Sequence, residues 1–481
     1  MDDSQQKIKK LENTIILNLP FTPNRDQEIA IKKLSKFVFN SYQNSVFILK
    51  GYAGTGKTNI ISGLTKSIKS VGWKTVLLAP TGRAAKVISN YSKQKAFTIH
   101  KKIFDYSLES TENNFSTLSE NTHTNTLFIV DEASMINNEI GFEAKTNILE
   151  SLFEFVFSGT NCKLILVGDN AQLPPVGSNF SPALSPEYLK LNFNLNIFFC
   201  ELKQVARQKE DSGILYNATK LRVNLLEQNF EMPKFETSTD FIRLSGEDLE
   251  DTLNTCINNF GEENIIIITR SNKRAVQFNQ TYRNRIKYLE NEINTGDKIM
   301  IVKNNYFWLP KTNTETNFIA NGDIAEITKI KTKTNLYGFD FCDCEIKLID
   351  YELPPLEVKL LLSTLYTDQA SLSAEQQNIL YENVIADVAN ETNKYIKFQY
   401  LKNSSFYNAL QVKLAYAVTC HKSQGGQWPV VFIDQGYLTK ENLNSEYIRW
   451  LYTAITRATE RVYLINFNED NKNKKLQSCL L

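Results

Sequence analysis

Short apolar runs alternate with helix-like segments in the N-terminal part of the chain. The runs are Val46–Lys50, Thr75–Ala79, Leu127–Asp131 and Lys163–Gly168, and polar or glycine-rich residues follow each of them. Between them, Thr58–Ser70 and Lys145–Phe157 carry apolar residues at the spacing of an amphipathic helix. Continuous apolar runs are typical of strands buried on both faces. Strands that alternate with helices predict a parallel sheet with helices on both faces.

The same alternation returns in the C-terminal part, after an interruption. Further strands are predicted at Asn264–Thr269, Val430–Asp434 and Arg461–Asn466, and a helix at Asn272–Ile286. The interrupting segment has strand-like runs at Gly296–Lys303 and Asp323–Lys329, with the turn-forming pair Asn321-Gly322 before the second run. We therefore expect a second α/β unit into which a small β-module, at about 296–365, is inserted. The acidic segment after the module is expected to be helical and exposed.

The composition is that of an ordinary globular protein. The chain has 481 residues, of which 42% are hydrophobic and 22% charged, which excludes a disordered chain and a small disulfide scaffold. Seven scattered cysteines favour reduced thiols, and the polar N-terminus differs from a signal peptide. The aliphatic run Ile265–Ile268 is far too short to span a membrane. We expect a cytoplasmic protein that does not bind membranes.

The net charge is only +1, but the charges are unevenly distributed. Residues 57–102 contain ten lysines and arginines and no acidic residue, whereas residues 360–393 contain five acidic residues and no lysine or arginine. A segregated basic surface is typical of proteins that bind a polyanion such as nucleic acid. A solvated basic helix face would give the same pattern, so charge alone leaves both interpretations open.

One segment fits the phosphate-binding pattern G-x-x-x-x-G-K-[ST] over its full length. It is Gly51-Tyr52-Ala53-Gly54-Thr55-Gly56-Lys57-Thr58. It follows a predicted strand and begins a predicted helix, which is the context that the pattern requires. Backbone N–H groups of the turn and the helix N-terminus would surround phosphate oxygens. Lys57 is expected to contact the β- and γ-phosphates of ATP, and the Thr58 hydroxyl is expected to bind Mg²⁺.

Two carboxylates follow the predicted strand that ends near Val130. Asp131 is expected to bind Mg²⁺ or its water shell, and Glu132 to accept a proton from the attacking water. The carboxyl ends of parallel strands meet at one edge of a sheet, so both side chains would lie beside the cradle. A helix-capping acidic pair is the alternative interpretation.

Nine segments resemble, in chain order, the motif series of a superfamily 1 helicase. They are GYAGTGKT (51–58), APTGRAAK (79–86), TIH (98–100), VDEASM (130–135), VGDNAQLPPVG (167–177), LKQVARQ (202–208), TRSN (269–272), YAVTCHKSQGGQW (416–428) and YTAITRAT (452–459). The resemblance extends over about residues 20–467. The segments DEASM and GDNAQLPPVG are similar to the RecD-like and Dda-like class, superfamily 1B, which moves 5′→3′.

This resemblance implies an α/β fold of two RecA-like P-loop domains with parallel sheets and a small inserted SH3-like β-module. Residues 1–200 would form the first domain, 1A, with a short insertion, 1B, at about 101–125. Residues 201–295 and 395–481 would form the second domain, 2A. Residues 296–394 would form domain 2B, which is the β-module with its acidic helical extension.

The resemblance also implies roles around a bound ATP. Gln27 would read the adenine, unless it is a surface glutamine on a helix. Gln172 would sense the γ-phosphate and align the attacking water. Arg207 and Arg457 would reach the γ-phosphate from the second domain, unless each forms a structural ion pair. The predicted catalytic set is Lys57, Asp131, Glu132, Gln172, Arg207 and Arg457, and the predicted ATP contacts are Gln27, Gly51, Ala53, Gly54, Thr55, Gly56, Lys57 and Thr58.

A single-strand track of short polar groups at strand ends is implied as well. It consists of Pro80, Thr81, Thr98, His100, Thr419 and His421. Such groups suit phosphate contacts that carry no sequence information, although a structural histidine remains the alternative for His421. Phe104, Tyr106 and Phe115 are candidates for the tip of a duplex-splitting pin. Gln427 departs from the family pattern, because many relatives carry there a glutamate that contacts the nucleotide sugar.

The function implied is that of an ATP-dependent DNA helicase that translocates 5′→3′ on single-stranded DNA, in repair, recombination or replication. ATP and Mg²⁺ would be its cofactors. Its partners would be single-stranded and forked duplex DNA, with replication or repair proteins besides, and the chain would be a monomer. Two alternatives stay open, namely a DNA translocase or nuclease-complex motor that does not unwind alone, and a catalytically silent NTP-binding scaffold.

Overall fold

A computed structural model describes residues 3–105, 117–138, 147–205, 212–309, 318–349 and 351–467. Its strands are β1 (Ser45–Gly51), β2 (Lys74–Ala79), β3 (Ala96–Thr98), β4 (Phe104–Asp105), β5 (Thr117–Leu118), β6 (Thr126–Val130), β7 (Lys163–Gly168), β8 (Asn196–Leu202), β9 (Phe241–Leu244), β10 (Ile265–Thr269), β11 (Lys298–Ile301), β12 (Ile324–Leu336), β13 (Phe339–Leu348), β14 (Leu356–Leu361), β15 (Leu410–Leu414), β16 (Ala417–Thr419), β17 (Trp428–Asp434) and β18 (Ala458–Ile465). Its α-helices are α1 (Asp3–Leu17), α2 (Arg25–Val38), α3 (Lys57–Ser67), α4 (Gly82–Ser92), α5 (Ile99–Ile103), α6 (Ile148–Ser158), α7 (Pro186–Asn192), α8 (Gly213–Leu226), α9 (Leu249–Phe260), α10 (Asn272–Thr281), α11 (Ala374–Ala386), α12 (Lys394–Asn403), α13 (Cys420–Ser423) and α14 (Ser445–Ile455).

The first sheet has the strand order β3-β2-β6-β7-β1-β8, and all neighbouring strands are parallel. Both of its faces are buried. In β1, Phe47 and Leu49 pack against α1, α2 and α3, whereas Val46 and Ile48 pack against the opposite layer, which contains α6. Because the strands are parallel, β1, β6 and β7 all end at one edge, where the cradle, the two carboxylates and residues 169–177 follow them.

The second sheet has the order β16-β10-β17-β18-β9 and is also parallel throughout. Helix α14 lies against this sheet and against α8, and most of its residues are buried. Its buried residues include Tyr452 and Thr453, which contact the first sheet's loops. A helix buried on nearly all sides is expected inside a protein, and α14 accordingly lies between the two α/β units.

Strands β11 to β15 form a closed barrel. Its longest hairpin joins β12 to β13 through Tyr337 and Gly338, whose φ angles of 57° and 82° suit a two-residue hairpin turn. The fifth strand, β15, lies beyond residue 394, the end of the predicted module. Helices α11 and α12 lie against one end of the barrel, where Leu380 and Leu401 pack with Phe341.

The predicted fold class is confirmed by the two parallel sheets, their helices and the small closed barrel. The sequence interpretation missed β8, β9 and the helices α1 and α2 that cover the first sheet. In the part of the chain that the structure describes, no helix has both the length and the apolar character needed to cross a bilayer.

Candidate functional site

The phosphate cradle is the turn from β1 into α3, residues 51–58. Gly54 and Gly56 have φ angles of 77° and 86°, a region that side chains disfavour. A Cβ atom on Gly51 would lie 2.6 Å from Thr55 Oγ1. The turn therefore depends on glycine at these positions. It leads into α3, whose first backbone N–H groups have no intrahelical partner and are available to phosphate oxygens.

Lys57 begins α3, and its side chain folds back onto the cradle. Its Nζ donates to the carbonyl oxygens of Gly51 (2.5 Å) and Tyr52 (3.0 Å). Within the described residues, no carboxylate lies within ion-pair distance of this ammonium. Thr58 follows at the partly exposed start of the helix. Both side chains are therefore positioned where a bound phosphate would meet them.

Gln27 lies against the cradle and is fully buried, so it is not the surface glutamine of the alternative interpretation. Its Nε2 donates to the Thr55 carbonyl oxygen (3.0 Å), and its Oε1 accepts from the Asn24 N–H (2.9 Å) in the capping box that begins α2. A Cβ atom on Gly56 would lie 2.6 Å from Nε2. Gln27 thus supports the turn, and its contact with adenine stays a prediction.

Asp131 and Glu132 follow β6 at the same edge of the sheet. Asp131 Oδ1 accepts a hydrogen bond from the Glu132 N–H (2.9 Å). Burial, together with the negative charge of Glu132, raises the pKa of Asp131 to about 6, whereas Lys57 acts in the opposite direction. Glu132 has a φ of 52°, and such strained residues cluster at functional sites. A cation bound beside Asp131 would favour its ionised form.

The oxygen atoms at this edge fit Mg²⁺. This ion prefers oxygen ligands and is usually held by one or two protein groups together with substrate phosphates and water. Asp131 supplies a buried carboxylate with no cationic side chain in ion-pair contact among the described residues, and Thr58 supplies a hydroxyl. No group of three or more His, Cys, Asp and Glu side chains suited to a metal occurs in the described ranges. A site of two protein ligands is therefore what this edge offers.

Residues 169–177, which follow β7, connect the first sheet to the second unit. The Leu173 N–H donates to Thr453 Oγ1, and the Leu173 carbonyl oxygen accepts from Gln424 Nε2, both at 2.8 Å. Gln172 lies inside this contact, 5% exposed, and its Oε1 has no hydrogen-bond partner among the described residues. A buried amide oxygen without a partner is uncommon, so Gln172 is available to a ligand.

Arg457 reaches the carboxylates from the second unit. Its Nη1 lies 3.9 Å from Glu132 Oε1, and the side chain is 4% exposed. Its Nε donates to the Thr453 carbonyl oxygen (3.1 Å) and its Nη1 to that of Gly426 (3.2 Å), which fixes the guanidinium. The structure thus brings a predicted catalytic arginine and the predicted catalytic base together. Arg207 lies outside the described residues.

Two residues of α14 contact the first unit and were missed by the sequence interpretation. Tyr452 Oη accepts a hydrogen bond from the Ala53 N–H (2.8 Å) and donates to Asp169 Oδ2 (2.7 Å). Arg449 donates to the carbonyl oxygen of Asn170. The only sequence signal for these two residues was their position, since they lie on the helix that runs into YTAITRAT, the segment that carries Arg457.

Three of the predicted strand-contact residues lie at the ends of strands. Thr81, Thr98 and Thr419 follow β2, β3 and β16, and they are the N-cap residues of α4, α5 and α13. The hydroxyls of Thr81 and Thr98 accept from the N–H groups of Ala84 and Lys101, both at 3.2 Å. β3 and β16 are the terminal strands of their sheets. Thr98 and Thr419 therefore lie at the outer edges of the two sheets, whereas Thr81 follows β2, which pairs with β6, the strand that leads to Asp131.

Gly425 lies where the segment after Thr419 meets the segment that contains Thr81. It has a φ of 74°, and a Cβ atom there would lie 2.8 Å from Ala84 Cβ and 3.3 Å from Thr81 Oγ1. Pro80, which is half-buried, precedes Thr81 at the same place. Because only glycine permits this approach, the segment that follows Thr419 lies directly against the start of α4.

Burial favours the neutral form of the two predicted DNA-contact histidines. Burial lowers the pKa of both His100 and His421 below the usual value. They would therefore meet a phosphate as hydrogen-bonding groups. Positive charge near His100 comes instead from lysines whose Nζ atoms lie 5.6 to 5.9 Å from the centre of the Phe97 ring, namely Lys95, Lys101 and Lys102.

The structure corrects one pin candidate. Phe104 is 8% exposed and packs in the core with α6, so it is not an exposed tip. Tyr106 and Phe115 lie outside the described residues. Gln427 is exposed, beside the buried pair Gly425-Gly426.

Comparison with known proteins gives matches in both α/β units. Residues 35–178 match the family described as AAA domain, and residues 414–465 match the UvrD-like helicase C-terminal domain.

Protein R530 of Acanthamoeba polyphaga mimivirus is 24% identical over 91% of this chain and 99% of its own length. The ATP-dependent RecD2 DNA helicase of Deinococcus radiodurans is 21% identical over 96% of this chain and 53% of its own length. The ATP-dependent DNA helicase Pif1 of Campylobacter jejuni is 22% identical over 89% of each chain. The chain thus spans about half of the length of RecD2.

Proposed function

We infer that this chain is a helicase of superfamily 1B and acts as an ATP-dependent DNA helicase that translocates 5′→3′ on single-stranded DNA. The approach of Arg457 to Glu132, at 3.9 Å, is the observation that carries this proposal. It joins a cradle and two carboxylates on one sheet to an arginine on the other. An ATP-binding site completed by a second domain is suited to coupling hydrolysis with domain motion.

Hydrolysis would use groups from both units. ATP would lie on the cradle, with Lys57 on its β- and γ-phosphates. Glu132 would accept the proton of the attacking water, and Gln172 would orient that water. Arg457, with Arg207 as the second arginine, would stabilise the charge on the γ-phosphate in the transition state. Bound Mg²⁺, held by Thr58 and Asp131, would neutralise phosphate charge.

Translocation would follow from the removal of the γ-phosphate. Residues 169–177 contact the second unit through Leu173, and the same segment carries Gln172. Loss of the γ-phosphate removes a ligand shared by the two units and favours a more open arrangement. Because the strand-contact edges belong to different units, such a change would move Thr419 relative to Thr81 along the strand.

Contacts at these edges support binding that is independent of base sequence. Threonine hydroxyls, neutral imidazoles and helix N-termini are groups that commonly bind phosphate oxygens. The lysines around Phe97 add a cationic surface next to them. A protein that advances along a strand needs such contacts, since base-specific contacts would hold it at one site.

Partial duplexes with either a 5′ or a 3′ single-stranded tail test the proposal. With ATP and Mg²⁺, the chain is expected to separate only the 5′-tailed duplex, measured by fluorescence of the released strand. Lys57→Ala should abolish separation and lower ATP turnover at least about 100-fold, because it removes a cation from the transferring phosphate. Lys66→Ala is the matched control, since Lys66 is an exposed lysine of the same helix.

Each other outcome has a defined meaning. Separation of the 3′-tailed duplex alone would refute the direction. DNA-stimulated phosphate release without strand separation would favour the translocase, and the absence of any ATP turnover would favour the silent scaffold.

A further inference from the structure

A cavity of about 230 Å³ lies next to the predicted catalytic centre. Its walls include Lys50 at the end of β1, the segment after β7, Ser181 and Arg449 of α14. None of residues 51–58 lines it, so it is distinct from the phosphate cradle. Gln172 belongs both to this wall and to the predicted catalytic set. The cavity therefore begins at the side chain that would meet the γ-phosphate.

Two polar atoms in the cavity wall lack partners. Gln172 Oε1 and Ser181 Oγ are both buried, and neither has a hydrogen-bond partner among the described residues. Buried polar atoms are nearly always hydrogen-bonded, and an exception calls for an explanation such as a bound ligand. One of these atoms can only accept a hydrogen bond, whereas the serine hydroxyl can donate or accept.

The cavity also contains two cationic groups. The Lys50 ammonium lies 5.0 Å from the centre of the Phe199 ring and makes no ion pair within the described residues. Burial lowers the pKa of Lys50, and the negative charges of Glu201 and Glu187 partly offset this effect. Arg449 reaches the cavity from the second unit.

The carboxylates in the wall are engaged elsewhere. Asp169 is 1% exposed and accepts hydrogen bonds from the Tyr452 hydroxyl (2.7 Å) and the Ala171 N–H (2.9 Å). Glu187 is exposed and accepts from the Ser185 hydroxyl (3.2 Å). The Lys50 ammonium, the Ser181 hydroxyl and the Gln172 amide oxygen are thus left for a ligand, and the Arg449 guanidinium adds positive charge while its Nη1 donates to the Asn170 and Gln172 carbonyl oxygens.

We propose that this cavity receives the inorganic phosphate produced by ATP hydrolysis and is the route by which it leaves. The inference rests on the proposed ATPase activity. In that reaction the water oxygen forms a bond to the γ-phosphorus and the bond to the bridging oxygen breaks. ADP keeps that oxygen, and the products are ADP, inorganic phosphate and a proton. The phosphate passes Gln172 into the cavity, where Lys50 and Arg449 attract its charge.

Protonation distinguishes the product from similar anions. Inorganic phosphate keeps at least one P–OH group at neutral pH, and this group can donate to Gln172 Oε1. The terminal phosphate of magnesium-bound ATP has no such hydrogen, and neither does sulfate. A site with an unpaired buried acceptor leaves that acceptor unsatisfied when such an anion binds. The cavity should therefore prefer phosphate to sulfate.

Transient kinetics with the full chain, ATP, Mg²⁺ and single-stranded DNA tests the exit route. Rapid quenching measures cleavage, and a fluorescent phosphate sensor measures release. Lys50→Met should slow release at least fivefold more than it slows cleavage. Lys190→Met is the matched control, since Lys190 is an exposed lysine of α7 that does not line the cavity. Equal slowing of both steps, or unchanged release, would overturn the inference.

Equilibrium binding tests the site without turnover. With saturating MgADP on the cradle, calorimetric titration with inorganic phosphate should show one site that binds sulfate at least fivefold more weakly at equal ionic strength. Lys50→Met and Ser181→Ala should each weaken phosphate binding at least fivefold. Equal affinity for the two anions, or binding unaffected by both substitutions, would contradict the proposal. If the chain cleaved no ATP but bound inorganic phosphate as described here, the proposed function would be refuted and the phosphate site would remain.

Discussion

At the scale of single residues, the candidate site is held in conformations that few residues tolerate. Gly54 and Gly56 adopt left-handed backbone angles in the cradle, and Glu132 adopts one beside it without being glycine. Asp131 is buried next to this second carboxylate, which destabilises its ionised form. A cation bound beside Asp131 would favour its ionised form.

The protonation of Asp131 gives a pH dependence with a defined sign. Its pKa of about 6 in the folded chain exceeds the value of about 4 in an unfolded chain. The folded state therefore binds more protons between these values, and its stability falls as the pH rises from about 4 to about 6. Asp131→Asn should remove this loss, which is on the order of 1–3 kcal/mol.

Urea unfolding between pH 4 and 7, with a chelator present, measures this effect. The curves of the free energy of unfolding for the original chain and for Asp131→Asn should diverge above about pH 4. Added Mg²⁺ should stabilise the original chain only where Asp131 is ionised. Parallel curves across this range would show that Asp131 is not the group responsible.

At the scale of elements, α14 connects the two units. Tyr452 contacts both Ala53 in the cradle and Asp169 after β7, and one side chain therefore reaches two loops of the other sheet. The following residue, Thr453, binds the backbone next to Gln172. Because Arg457 follows at the end of the same helix, one rigid element positions the arginine relative to the cradle.

Removing one hydroxyl tests this connection. Tyr452→Phe leaves the Ala53 N–H and an Asp169 oxygen without their partner, at a cost of about 1–3 kcal/mol. Misplacement of the two loops should lower the DNA-stimulated kcat about tenfold, with a smaller change in KM for ATP. Phosphate-release kinetics and the thermal midpoint measure the two effects.

Another tyrosine of α14 provides the control. The Tyr447 hydroxyl accepts from Gln435 Nε2 (2.9 Å), and the side chain is equally buried but does not contact the cradle. Tyr447→Phe should lower the thermal midpoint and leave kcat nearly unchanged. If both substitutions reduce kcat to the same extent, Tyr452 acts only through stability.

At the scale of the whole molecule, two of the predicted strand-contact residues lie at the outer edges of the sheets, and the predicted nucleotide residues lie at strands that have neighbours on both sides. Thr98 and Thr419 end the terminal strands of the two sheets, whereas Gly51 ends β1 and the carboxylates follow β6, and both of these strands have a neighbour on either side. The basic segment 57–102 extends from the cradle to the outer edge, which places its positive charge near both anionic ligands.

This charge should make DNA binding strongly dependent on salt. For single-stranded DNA, the slope of log affinity against log salt is about −0.7 per phosphate contacted. Replacing Lys95, Lys101 and Lys102 by alanine should reduce the slope by about 2, because three phosphate contacts are lost. Fluorescence anisotropy with a labelled oligonucleotide measures it.

Three lysines on the other side of the first sheet provide the control. Lys9, Lys32 and Lys36 are exposed on α1 and α2, away from the strand-contact edge. Their replacement by alanine should leave the slope unchanged. If the affinity of the original chain for DNA did not change with salt, the interpretation that lysines at the strand-contact edge bind DNA phosphates would be wrong.

The sequence alone determined the parts of this protein that depend on local order. Buried parallel strands such as Lys163–Gly168 appear as continuous apolar runs, and the cradle glycines appear at fixed spacing, because both requirements are met by neighbouring residues. The fold class and the positions of Lys57, Asp131 and Glu132 at one sheet edge followed from these runs.

Only the tertiary structure decided which distant residues meet. Tyr452 lies 399 residues from Ala53, and nothing in either local sequence announces their hydrogen bond. The sequence left open whether Gln27 lies on the surface, and the structure buries it. The structure likewise decided that Gln172 Oε1 and Ser181 Oγ are buried with no hydrogen-bond partner in the described part of the chain. Packing between elements is long-range, so a pattern read along the chain identifies candidate groups, while the fold sets their neighbours and their protonation.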